Sequence, residues 1–290
     1  MKQITVISGK GGTGKTVITA CFAVLAKNKV MADCDVDASD LHLLLHPAIK
    51  EVHDFRGGRK AALNEKLCTN CGRCVEVCRF DAISLGEDRI VIDPVTCEGC
   101  QLCALICPIE AVKMVQHPAG EWYVSETSNG PMVYARLGIA EENSGKLVSE
   151  VRQNARVIAE KNNLDLVIVD GPPGIGCPVI ASITGVDLVI AVTEPTLSAI
   201  SDLERVLNLA RHFKIEPVVL INKYDLNSEN TEKITSFCER EKIGIVGKIP
   251  FDNAFTKAML QGKTVMEDGN SALANIILSI WERISLMIRK

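Results

Sequence analysis

Two groups of residues in this 290-residue chain have the types and spacing to do chemistry. The first is GKGGTGKT, residues 9–16, set between an apolar run (QITVIS, 3–8) and a helical stretch from about Gly14 to Asn28. It satisfies G-x4-G-K-[ST] with Gly9, Gly14, Lys15 and Thr16. Glycines let a backbone curl until successive N–H groups point at phosphate oxygens, and the helix start adds a dipole that favours anions. Gly9, Lys10, Gly11, Gly12, Thr13 and Gly14 are therefore expected to cradle nucleotide phosphates. Lys15 is expected to reach the β- and γ-phosphates, and the Thr16 hydroxyl to bind Mg2+. Thr19, one turn further on, is placed with the nucleotide-binding residues.

The second group is made of thiols. Eight of the twelve cysteines fall between residues 68 and 107, in two copies of C-x2-C-x2-C-x3-C. The first copy is Cys68, Cys71, Cys74 and Cys78. The second is Cys97, Cys100, Cys103 and Cys107, followed by Pro108. Zinc sites pair C-x2-C knuckles across a longer gap, so two [4Fe-4S] clusters are the expected occupants. The repeat resembles the bacterial ferredoxin pattern, in which the fourth Cys of each run completes the other cluster. That resemblance implies one site from Cys68, Cys71, Cys74 and Cys107, and another from Cys97, Cys100, Cys103 and Cys78. Arg79 stands where the first run would carry the proline, and its guanidinium is expected to raise the potential of the nearby cluster.

These groups need elements to position them. Apolar residues make up 47% of the chain and aromatics only 4%, a balance that favours a parallel sheet covered by helices. Strands are expected at 3–8, 29–35, 164–170, 186–193, 216–222 and 244–250, with helices at 146–161, 198–212, 228–242 and 271–288. Residues 121–137 read as a hairpin turning at Asn129-Gly130. HDFRGGRK, 53–60, has linker character. The Cys-rich repeat beyond it reads as an inserted module. The predicted architecture is α/β, a P-loop NTPase fold with a mostly parallel sheet flanked by helices. Residues 1–60 and 117–290 would form it, and 61–116 a small inserted ferredoxin-like α+β domain. The net charge of −4 gives no reason to expect nucleic acid. No apolar run reaches the ~20 residues that a membrane span needs. With no signal peptide visible, the protein is expected to be soluble and cytoplasmic.

Lys10 gives the glycine loop a second lysine. With it, the chain resembles the MinD/ParA/Mrp and nitrogenase iron protein group of ATPases. The resemblance implies that Lys10 reaches across a homodimer interface to the partner's ATP. It assigns Asp35, in Asp33-Cys34-Asp35, to positioning or activating the attacking water, with Asp37 a weaker candidate. Asp170 ends an apolar strand and is expected to help hold Mg2+, with Thr16 and Asp35. Gly171-Pro172-Pro173-Gly174 matches switch II. Asn222, Pro250 and Asp252 are expected near the adenine, although Asn222-Lys223-Tyr224-Asp225 also matches a short guanine motif. The catalytic set is thus Lys10, Lys15 and Asp35. The implied function is a Mg-dependent ATPase coupling dimer switching to electron transfer through two [4Fe-4S] clusters, acting on a redox or iron–sulfur acceptor protein. Cluster carriage, and a nucleotide switch with structural clusters, are the alternatives. Cys21, Cys34 and Cys238 read as core residues, Cys177 as structural, and His42 and His46 as packing or solvent residues.

Overall fold

The computed structural model describes residues 1–138, 141, 145–267 and 271–289. The strands are β1 (Lys2–Ser8), β2 (Lys29–Asp33), β3 (Ala48–Leu63), β4 (Ile83–Leu85), β5 (Ile90–Ile92), β6 (Val112–Thr127), β7 (Gly130–Leu137), β8 (Leu166–Pro173), β9 (Leu188–Thr193), β10 (Pro217–Asn222) and β11 (Gly244–Ile249). The helices are α1 (Lys15–Leu25), α2 (Leu41–Leu45), α3 (Arg73–Val77), α4 (Leu102–Leu105), α5 (Gly145–Lys161), α6 (Cys177–Ile183), α7 (Leu197–His212), α8 (Ser228–Arg240), α9 (Asn253–Leu260) and α10 (Ala272–Ile288).

Nine strands form one sheet in the order β11-β10-β9-β1-β8-β2-β7-β6-β3. From β11 to β7 neighbouring strands pair in parallel. Side chains alternate between faces along each strand. Ile4, Val6, Ile168, Ile190 and Leu220 therefore join α1 and α10 in one apolar cluster. Ile7, Val189, Ala191, Val219 and Ile221 join α6, α7 and α8 in another. A strand buried on both faces must be apolar throughout, which is why LVIV, LVIAV and VVLI recur in the chain. Side-chain caps fix where helices begin: Thr196 accepts from Ala199 N, Asn227 from Asn230 N and Ser271 from Ala274 N. Each such cap is worth about 1 kcal/mol.

Parallel strands put their carboxyl ends on one edge, where α/β proteins bind ligands. Ser8, Asp33, Asp170, Thr193, Asn222 and Ile249 all lie at or near such ends. Register then pairs Asp33 directly with Asp170 across β2 and β8.

The chain divides into a larger unit (Met1–His53, Trp122–Arg136, Asn143–Lys290) and a smaller one (Asp54–Glu121, Leu137–Glu142). The boundaries fall inside β3 and β6, so they differ from the expected 61–116. The expected linker 53–60 is instead strand, part of β3. Its mixed charges and paired glycines run along an extended chain, and composition alone hid that pairing.

The smaller unit contains α3, α4 and the antiparallel β4–β5 pair. One apolar cluster in it is made of Ala61, Cys74, Ile83, Ile90, Cys103 and Val112. A cluster that small gives limited support, and small domains of that kind usually need a staple.

Candidate functional site: a phosphate loop and two cysteine cavities

The turn from β1 into α1 is the glycine loop. Gly14 has φ +88, and a Cβ there would lie 2.5 Å from Asn222 Nδ2. Only glycine fits both demands. Gly9 is needed for a different reason, because a Cβ would meet Asp202 of α7 at 2.5–2.8 Å. A cavity of about 550 Å3 opens beside the loop. Gly11 through Ile18, Asp35, Asp37, Pro172, Pro173, Asn222, Pro250, Phe251, Asp252, Phe255 and Met259 are among its walls. This is a size that suits a nucleotide.

The residues expected around Mg2+ converge on one buried ammonium. Lys15 Nζ lies 2.9 Å from Asp170 Oδ1, 3.3 Å from Asp35 Oδ2 and 3.3 Å from Thr16 Oγ1. Burial works to lower the Lys15 pKa, but Asp170, Asp35 and Asp33 together raise it. Asp170 Oδ2 is buried with no hydrogen-bond partner. A cation or its bound water fits that orphaned oxygen, because buried polar atoms are normally satisfied. Thr16, Asp35 and Asp170 thus fit a magnesium site once Lys15 moves away.

Asp33 and Asp35 have different tasks. Asp33 is fully buried, and its carboxyl is pushed well up by burial and by Asp170. It accepts from Asp35 N, Ser39 Oγ and Leu41 N, so it shapes the following loop. Asp35 stands in the cavity wall, its pKa raised by burial against the pull of Lys15.

Three of the expected nucleotide residues lie off the cavity wall: Gly9, Lys10 and Thr19 are not among its lining. Thr19 is buried beneath, donating to Asp170 Oδ1 at 2.9 Å, so it holds the acid in place. Lys10 points along the chain's own surface, 2.9 Å from Glu194 Oε1 and 2.9 Å from Thr196 Oγ1. Glu194 also takes Lys223 Nζ at 2.9 Å, and Lys223 reaches Gly12 O at 3.0 Å. Burial opposes ionisation of Glu194, but Lys223 and Lys10 hold its pKa down. Sequence reasoning missed Glu194. Its signal was the one that exposed Asp170: an acid just past an apolar strand.

Asn222 Nδ2 donates to Thr13 O at 2.8 Å, bracing the loop from the base side. Asp225 accepts from Phe251 N at 2.7 Å and is not in the cavity lining. The acid of the guanine-like motif is therefore committed to backbone. Phe251, Phe255 and Met259 give that end of the cavity an apolar wall that the sequence did not announce.

In the smaller unit, two small cavities lie among the cysteines. Cys68, Cys71, Cys74 and Cys107 line one; Cys97, Cys100, Cys103 and Cys78 line the other. Each cavity therefore takes three cysteines from one run and the last from the other. Cys74 and Cys103 are buried, whereas Cys71 and Cys100 are exposed. Among the described residues, no three or more His, Cys, Asp or Glu side chains gather tightly enough to hold a single metal ion.

The remaining candidates fall elsewhere. Cys21, Cys34 and Cys238 are buried, the first pushed up to about 12 and the last to about 11 by burial. Cys177 opens α6 and is exposed. His42 stacks on Tyr134 and faces Arg136, while His46 meets Gly262 O, so they share no ligand.

Residues 4–265 match the CobQ/CobB/MinD/ParA nucleotide binding domain family. The chain belongs to that family. An uncharacterised protein of Methanocaldococcus jannaschii is 33% identical over 290 residues, covering 99% of this chain and 97% of that one. A septum site-determining protein MinD from Pyrococcus horikoshii, solved with Mg-ADP, superposes with a TM-score of 0.57 at 16% identity, covering 98% of this chain and 95% of that one. A 7Fe ferredoxin of Hydrogenibacillus schlegelii is 41% identical over 54 residues, which is 19% of this chain and 69% of that protein. The chain is thus a MinD/ParA-type ATP-binding ATPase. Its α/β sheet and glycine loop are those of the MinD fold, and ATP with Mg2+ fits the cavity. Among the described residues, no helix is long and apolar enough to cross a membrane.

Proposed function

We propose that this MinD/ParA-type ATPase is an iron–sulfur protein that uses ATP to govern electron transfer to a partner protein. The observation that carries the reading is the crossed grouping of eight cysteines around two small cavities. That grouping is what two complete C-x2-C-x2-C-x3-C runs need in order to hold two [4Fe-4S] clusters. When bound, the clusters would supply one-electron redox capacity and staple the small core of their unit.

The nucleotide chemistry follows from the chain's own groups. Phosphates entering the loop draw Lys15 from Asp170 and Asp35 toward the β- and γ-oxygens. The two carboxylates and Thr16 are then released toward Mg2+, which neutralises phosphate charge when bound. Asp35, in the cavity wall, orients the attacking water and takes its proton. Lys10 has a second position to occupy. It leaves Glu194 and reaches the nucleotide of a partner subunit, so the active form is a homodimer. Asn222, Pro250 and Asp252 contact the adenine against the apolar wall of Phe251 and Phe255.

A second reading, cluster delivery to an acceptor protein, draws on the exposure of Cys71 and Cys100. Each site has one thiol facing solvent, where exchange would begin. Full ligation by one chain favours retention instead. The deciding experiment uses protein purified anaerobically. Iron and acid-labile sulfide are counted, and EPR of the reduced protein is recorded with and without MgATP. About eight irons per chain and an ATP-dependent change in the spectrum support the proposal. Colourless, iron-free protein ends it, and rapid cluster loss to an apo-ferredoxin in place of ATP-dependent reduction moves it to the second reading.

A further inference from the structure

The two cysteine cavities come from two copies of one repeat, so they can be compared position by position. The copies differ at two wall positions where charge is changed. Thr69 of the first cavity corresponds to Glu98 of the second, and Arg73 corresponds to Leu102. The first cavity therefore has a cation in its wall, and the second has an anion.

Backbone donors differ in the same direction. Asn70 N donates to Cys68 Sγ at 3.4 Å and Ala111 N to Cys107 Sγ at 3.2 Å, both at the first cavity. The second cavity has Ala61 N donating to Cys97 Sγ at 3.5 Å. Hydrogen bonds to ligand sulfur and nearby positive charge both favour the reduced, more negative state of a cluster. Arg79 follows Cys78 and acts against this trend, but it is not part of the second cavity's wall, whereas Arg73 and Glu98 each stand in the wall of their own cavity.

We propose that the site of Cys68, Cys71, Cys74 and Cys107 has the higher reduction potential, so that one electron shared between the two sites rests there. The inference depends on the iron–sulfur reading above. It ranks the two sites: the site bearing Glu98 is the one a low-potential one-electron donor must reduce second, and the one that gives up its electron most readily.

The repeat supplies its own test. Arg73→Leu makes the first cavity like the second, and Glu98→Thr makes the second like the first. Both side chains are exposed, so the fold tolerates either change. EPR-monitored redox titration of the intact protein is expected to show two one-electron waves. Arg73→Leu should lower the upper wave alone, and Arg73→Lys should restore it. Glu98→Thr should raise the lower wave alone. A single unresolved wave overturns the inference, as does Arg73→Leu moving the lower wave or neither wave. Iron and sulfide counted on the same samples keep the two ideas apart. Absent clusters would sink the functional reading and this inference together, whereas two clusters with the wrong response sink only this inference.

Discussion

Lys15 and Asp170 form a buried ion pair at 2.9 Å, and Asp170 keeps its other oxygen without a partner. The ammonium stands where oxygens of Asp170, Asp35 and Thr16, the proposed magnesium ligands, converge. Exchange of one cation for another is therefore built into the floor of the cavity. Lys15→Met removes the charge that Asp170 and Asp35 share. The nucleotide-free protein should lose about 3 kcal/mol of stability, the usual result of stripping one partner from a buried pair. Millimolar Mg2+ alone should then stabilise the variant more than it stabilises the wild type. A thermal-shift titration with MgCl2 checks this, and equal shifts in the two proteins would refute the exchange. ATP hydrolysis should be lost in the same variant.

Glu194 holds Lys10 and Lys223 at once, both at 2.9 Å. If Lys10 works on a partner's nucleotide, Lys10→Ala should still bind ATP, because Lys10 is not in the cavity wall. Hydrolysis should fall at least ~100-fold, as expected when a cation that stabilises the transferring phosphoryl group is removed. Binding is read by a fluorescent ATP analogue and assembly by light scattering. Unchanged hydrolysis in Lys10→Ala would show that the pairing with Glu194 is its whole role.

Much of this was legible because parallel strands place their last residues on one edge. Asp170 could be named from the apolar run before it, Asp35 from the family resemblance, and the glycine loop from its setting between strand and helix. Crossed ligation was implied by the resemblance to the ferredoxin pattern, and the cavities group the same cysteines. Other features depended on tertiary contact. Thr19 could be placed near the loop, but not beneath Asp170. Glu194 gains meaning only when β9 lies beside β1 and brings it to Lys10. The strand character of 53–60 was hidden because an outer strand of a sheet need not be apolar. Phe251 and Phe255 reach the cavity through the turn into α9, and no local pattern marks that approach.

Cys107 sits 33 residues from Cys74 in sequence but shares its cavity. On the proposed ligation, Cys107→Ser should therefore disturb the cluster assigned to Cys68, Cys71 and Cys74, leaving the other with its full thiolate set. Iron content should fall by about half. Combining Cys107→Ser with Cys74→Ser should cost no more iron than either alone, because both changes fall on one site. Loss of nearly all iron in the double variant, with half lost in each single one, would show that the two cysteines serve different clusters.

Lys29 opens β2 in a buried position, with its ammonium donating to Asn129 O across the hairpin turn. Burial pulls its pKa down to about 8 from the usual lysine value of 10.5. The sign follows from proton counts. Between those values the unfolded chain holds more protons than the folded one, so stability rises with pH across the window and the full cost applies below pH 8. A displacement of this size amounts to roughly 3 kcal/mol, against about 1 kcal/mol for the hydrogen bond that would be lost. Lys29→Met should therefore be more stable than wild type by about 2 kcal/mol at pH 7. That advantage should shrink as pH rises above 8, vanish near pH ~9.5 and reverse by about 1 kcal/mol by pH ~10.5. Urea unfolding of both proteins at half-unit pH steps measures the gap. Parallel stability curves from pH 7 to 10.5 would mean that Lys29 titrates alike in both states and that its burial costs nothing.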